Sequence, residues 1–115
     1  MLNKKITIYV PSTFGEQPRP DLLKVWKRMC IVSFSEMFGG ATALVGEGGY
    51  IADDKKLVVE NVVLIYAFTD AEGLAKNLGA VKALALRMAK AMDQECVAVE
   101  CDGVMEFVEP VAEAA

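Results

Sequence analysis

From Lys5 to Val10 apolar and polar residues alternate, with Ile6, Ile8 and Val10 on one side and Thr7 and Tyr9 on the other. That period of two predicts a half-buried strand, ended by Pro11. After the loop PSTFGEQPRP the period changes. Leu22, Trp26, Met29, Ser33 and Met37, flanked by Leu23, Cys30 and Phe34, recur at helical spacing and predict an amphipathic helix from Asp21 to about Phe38. Pro20 and Asp21 suit its first turn, and Gly39-Gly40 follows its end, where a left-handed residue lets the last carbonyls find partners. Ala41 to Ile51 reads as a strand interrupted at Gly46, Gly48 and Gly49, and ADDKK supplies a turn. Leu57 to Phe68 is apolar on both alternating sides apart from Glu60 and Asn61, the pattern of a central strand covered on both faces. Thr69 and Glu72 are spaced as a capping box ahead of a second helix whose buried stripe is Leu74, Leu78, Val81, Ala85, Met88 and Met92. Glu95 to Cys101 forms a further strand, Asp102-Gly103 is a two-residue hairpin signal, and Val104 to Val108 returns as a short strand.

The order strand, helix, strand, strand, helix, strand is the split βαβ pattern of a ferredoxin-like α+β domain, an antiparallel sheet with both helices on one face. It predicts a single domain over residues 1–109, with the last strand as an extra C-terminal one, and a frayed tail over 110–115. In this topology the first and third strands are central and the sheet face away from the helices is open. An apolar run on both sides of a central strand then predicts that copies of the chain cover the open face for one another, as a homodimer or a higher even oligomer.

Composition narrows the function. The chain has 115 residues, 54% of them hydrophobic, yet no run approaches the roughly 18 apolar residues of a membrane span. The start MLNKKITIYV lacks the apolar stretch of a signal peptide, so a cytoplasmic protein without membrane partners is expected. A formal net charge of −4 disfavours wrapping of a nucleic acid polymer. The chain has no histidine, which removes the usual Ser-His-Asp and Cys-His arrangements. Cys30, Cys96 and Cys101 have no C-x-x-C spacing, and the carboxylates show no ligand spacing, so neither a metal nor a cofactor is expected. No residue is singled out as catalytic.

One stretch stands apart. FGGATALVGEGGYI, Phe38 to Ile51, holds five of the nine glycines. The spacing fits neither a phosphate-binding loop nor a dinucleotide fingerprint. In the split βαβ topology the first two strands run in the same direction. Their C-terminal ends therefore share one end of the sheet, which gathers Ser12, Thr13, Arg19 and Tyr50. Hydroxyls, a guanidinium and helix N–H groups there favour a polar or anionic ligand approaching a thin backbone. Glu60 joins the set because a charge in a strongly apolar strand must find a partner or a wet cavity. Each has a plainer alternative. Ser12 and Thr13 can shape a turn, Arg19 can be solvated, the glycines can permit a bulge, and Glu60 can pair across a subunit boundary or face solvent. Tyr9, Tyr50 and Tyr66 can stack on a planar ligand or simply pack.

KKITIYVPST, FGGATALVGEGGY and VVENVVLIYAF, in that order and followed by a helix and ECVAVECDG, resemble a group of short uncharacterised proteins encoded by bacterial phages and plasmids. The resemblance covers most of the chain and implies a mobile-element protein of compact ferredoxin-like fold with an anti-defence role. The leading reading is a non-enzymatic, homo-oligomeric protein that sequesters a small polar ligand such as a signalling nucleotide. Ser12, Thr13, Arg19, Tyr50 and Glu60 would bind it, with Arg19 on phosphate and Tyr50 stacking. The alternatives are an interaction module that inhibits a host protein, and a cofactor-independent enzyme acting on a substrate that carries its own reactive chemistry.

Overall fold

The computed structural model describes residues 1–110. Its elements are β1 (Lys4–Pro11), β2 (Thr13–Phe14), β3 (Gln17–Pro18), α1 (Pro20–Phe38), β4 (Thr42–Ile51), β5 (Leu57–Thr69), α2 (Ala71–Ala91), β6 (Val97–Cys101) and β7 (Val104–Val108). Five strands form one antiparallel sheet in the order β4-β5-β1-β6-β7, and β2 pairs with β3 in a separate small ribbon. The expected α+β class, the six long elements and the extra C-terminal strand are all present. The β2–β3 ribbon was read as loop, because two-residue strands are too short to show a period. The expectation for the tail falls, beyond Pro110, outside the described residues.

The core lies between the sheet and the two helices. Ile6, Ile8 and Val10 of β1 face it beside their β5 partners Ala67, Ile65 and Val63, and Ile8 pairs with Val99 of β6 on the other side. Cys30 and Phe34 of α1 and Val81, Ala85 and Met88 of α2 close over them, all fully buried. Each large side chain so buried stabilises by about 1.5–3 kcal/mol relative to exposure. The stripe on α1 is centred one position later than the periodicity suggests, on Cys30 and Phe34 rather than Met29 and Ser33, because the helix leans on both the sheet and α2. Among the described residues no helix is long and apolar enough to cross a membrane.

The chain uses local chemistry to end its elements. Gly39 closes α1 in the left-handed region, at φ 87°, and its N–H donates to the Ser35 carbonyl. Asp102 and Gly103 form the β6–β7 turn, both with positive φ. The start of α2 differs from expectation. Thr69 remains in β5 and is buried, and the N-cap is Asp70, whose carboxylate accepts from the Gly73 N–H at 2.7 Å. A Cβ on Gly73 would collide with the Thr69 hydroxyl, whereas one on Gly79, also in α2, would meet nothing within 4 Å. Gly73→Ala should therefore destabilise by about 1–3 kcal/mol through overpacking. Gly79→Ala should stabilise by up to about 1 kcal/mol through helix propensity. Urea unfolding of the two variants checks this opposition of sign.

Candidate functional site

Both helices sit on one side, so the residues that alternate with the core positions line a bare sheet face. Register places Leu44, Gly46, Gly48 and Tyr50 of β4 there, opposite Leu64, Val62, Glu60 and Val58 of β5. Tyr9 and Pro11 of β1 continue the row, opposite Leu64 and Val62. Leu44 is 52% exposed, and Tyr66, Phe68, Met105 and Phe107 carry the apolar surface across the same face. At its far end the Lys5 ammonium lies over the Tyr66 ring, 4.5 Å from the centroid.

The glycines make a trough in this face. None of Gly46, Gly48 and Gly49 has positive φ, so no turn or bulge conformation demands them. A Cβ on Gly48 would have nothing within 4 Å, and one on Gly46 would make only ordinary contact with Val62. What the missing side chains of Gly46 and Gly48 supply is space. The space is a groove of about 590 Å³ floored by Gly46, Gly48 and Val62 and walled by Tyr9, Tyr50, Glu60, Leu64 and Cys96. That volume is in the range of small-molecule sites.

Two further hollows adjoin it. One of about 410 Å³ shares Ser12, Glu60 and Asn61 with the groove and runs to Glu16 and the start of α1 at Pro20 and Leu23. The other, about 420 Å³, shares Tyr50, Glu60 and Cys96 with the groove and reaches Asp93 and Glu95. Glu60 thus stands where all three meet. No lysine or arginine lines any of them, and their carboxylates belong to none of the three ion pairs found among the described residues. The site carries a net negative field.

Of the five residues expected here, the structure gathers Ser12, Thr13, Tyr50 and Glu60. Ser12, Tyr50 and Glu60 line the groove, and Glu60 is exposed on it rather than buried among apolar neighbours. Thr13 lines the two smaller hollows, but its hydroxyl is engaged inward. It donates to the Gly15 carbonyl at 2.7 Å and receives the Gln94 amide at 3.3 Å. Arg19 stands apart. Its guanidinium grips Asp21 through two hydrogen bonds of 2.9 and 2.8 Å, which holds the Asp21 carboxyl down at about 2, and it lines none of the three hollows.

Sequence reasoning missed Glu16 and Gln94. The Gln94 side-chain nitrogen lies 2.9, 3.2 and 3.1 Å from the carbonyls of Thr13, Gly15 and Met92, and the Gly15 N–H donates to Met92 at 2.8 Å. These bonds latch the 12–16 loop to the end of α2, across about eighty residues of chain that no local pattern connects. No cavity group is poised as a nucleophile. Burial, with Glu109 and Glu95 beside it, raises the Cys96 thiol, and burial and then Glu100, which accepts the Tyr9 hydroxyl at 3.3 Å, raise the Tyr9 phenol. Cys30, in the core, is pushed up to about 12 by burial. Among the described residues no group of three or more potential ligands is placed to hold a metal ion.

No protein-family model matches the chain, and no curated protein matches it significantly. Among solved structures it is similar to a phage SAM lyase in the apo state, at 27% identity and TM-score 0.65, over 97% of this chain and 91% of that one. It is also similar to a phage SAM lyase in complex with S-methyl-5'-thioadenosine, at 23% identity and TM-score 0.64, over 92% and 88%. A Bacillus cereus protein related to NIF3 shares the fold at 16% identity and TM-score 0.54, over 92% of this chain but 26% of its own length. The chain therefore shares its α+β fold with small phage proteins over nearly its whole length.

Gln94→Ala should cost about 1–3 kcal/mol, because it strands partly buried carbonyls of Thr13 and Gly15. Chemical unfolding measures the loss. Amide exchange should show that it begins with opening of residues 12–16.

Proposed function

We propose that the chain is an enzyme that binds S-adenosylmethionine in the glycine trough and cleaves it to 5'-methylthioadenosine, as a SAM lyase. The observation that carries this is a small-molecule groove lined by tyrosines and carboxylates, with no basic side chain, in a fold shared end to end with phage SAM lyases. Taken as a ferredoxin-like unit of β1, α1, β4, β5, α2 and β6 with β7 added at the edge, the sheet presents that groove on its uncovered face.

Charge decides between this reading and the nucleotide sequestration expected from sequence. A phosphate ligand needs a cation at the site, and Arg19 is paired elsewhere. S-adenosylmethionine carries a sulfonium, an ammonium and one carboxylate, a net positive charge suited to Glu60. Tyr50 stacks on the adenine and Ser12 hydrogen-bonds to the polar parts of the ligand. Thr13 holds the loop, and Arg19 has no part in binding.

The chemistry asks little of the protein. The sulfonium is already a good leaving group, and the substrate's own carboxylate can attack the γ-carbon. A C–O bond forms, the C–S bond breaks, and both of its electrons pass to sulfur. The products are neutral 5'-methylthioadenosine and a protonated aminolactone, so charge and atoms balance without an added base or metal. Glu60 favours the bound cation, and the trough folds the chain into an attacking geometry. An anti-defence role then acts by consuming an adenosyl sulfonium.

The apolar open face supports self-association as well. Leu44, Phe68, Met105 and Phe107 form a surface that a second copy would cover, roofing the trough. Native mass spectrometry should give masses of two or more chains; a monomer at high micromolar concentration would contradict this.

Incubation of purified protein with S-adenosylmethionine, followed by chromatography, should show 5'-methylthioadenosine accumulating. Glu60→Gln should weaken substrate binding by about 10- to 150-fold, the worth of a charged hydrogen bond. Gly48→Val should fill the trough and abolish binding while leaving stability unchanged or raised, since glycine weakens a strand interior. Arg19→Ala should change neither. Intact substrate together with no thermal shift would overturn the reading.

A further inference from the structure

The second hollow lies where the sheet is incomplete. β1 stops at Pro11 opposite Val62, whereas β5 begins at Leu57, so the β1-facing edge of residues 57–61 has no partner strand among the described residues. Backbone N–H and C=O groups on such an edge are free to bond a ligand. The chain that leaves β1 does not cover this edge. It turns away through the β2–β3 ribbon, held there by Gln94, and the gap becomes the 410 Å³ hollow beside the groove. The two spaces share Ser12, Glu60 and Asn61 in their linings.

Resting on the reading of the trough as an adenosyl sulfonium site, we infer that this second hollow is the subsite for the aminobutyrate tail of the substrate. The nucleoside fills the trough, the sulfonium lies at the Glu60 junction, and the tail crosses into the hollow beside the free edge of β5. There the ammonium meets Glu16, and Leu23 and Val59 flank the methylenes. The hollow offers the substrate carboxylate no lysine or arginine. The carboxylate is bound by no ion pair and stays free to turn back on the γ-carbon.

Ligands with and without the tail test this by calorimetry on the full chain. Val59 is 53% exposed and lines the hollow but not the trough, so Val59→Trp blocks the hollow with little risk to the fold. It should weaken S-adenosylmethionine at least about tenfold and leave 5'-methylthioadenosine within about twofold. Glu16→Gln, on an exposed side chain, should show the same split. Equal losses for both ligands, or no loss for either, would overturn the tail subsite. Failure of the unaltered protein to bind either ligand would instead overturn the reading of the trough.

Discussion

The structure depends on one asymmetry: a five-stranded sheet with helices on a single side. Packing of Ile6, Ile8, Val10, Val63 and Ile65 against Phe34, Val81 and Met88 uses both helices of the described residues. The opposite face can then be only what its own side chains make it. Much of it is apolar, with Leu44 of β4 opposite Leu64 of β5 and Tyr66 and Phe68 further along β5. At one end it is cut away by glycine. The core and the open face are thus set by alternate residues of the same strands, the core by one parity and the trough by the other.

This division explains why the fold could be read from sequence and the site only in part. Period-two and period-3.6 patterns report burial, and burial by helices is what places β1, β5, α1 and α2. The capping box at Thr69 was off by one, because the same short polar residues compete for the cap and tertiary packing keeps Thr69 in the sheet. Ser12 and Tyr50 were reachable because strand direction brings β-strand ends together, and Glu60 because a charge stands out in an apolar strand. Gln94 and Glu16 were not. Their placement rests on contacts between segments far apart in the chain, which leave no periodic trace.

Arg19 shows where residue type misleads. A guanidinium near a helix start suggests phosphate, but Asp21, two residues on, binds its Nε and Nη2. Without it, the side chains that line the three hollows include carboxylates and no lysine or arginine. The glycines of VGEGGY acquire a purpose in the same step. Their φ values are ordinary for a strand, and Gly46 and Gly48 leave room on the exposed parity of β4, beside a carboxylate and two tyrosines.

The proposed site for the adenosyl group of a thioether or sulfonium is this trough. Amide chemical-shift mapping of the labelled protein during titration with 5'-methylthioadenosine tests it most directly. The largest changes should fall on Gly46, Gly48, Tyr50 and Val62, with α1 and α2 nearly still. Changes centred on the helices, or none at saturating ligand, would contradict it.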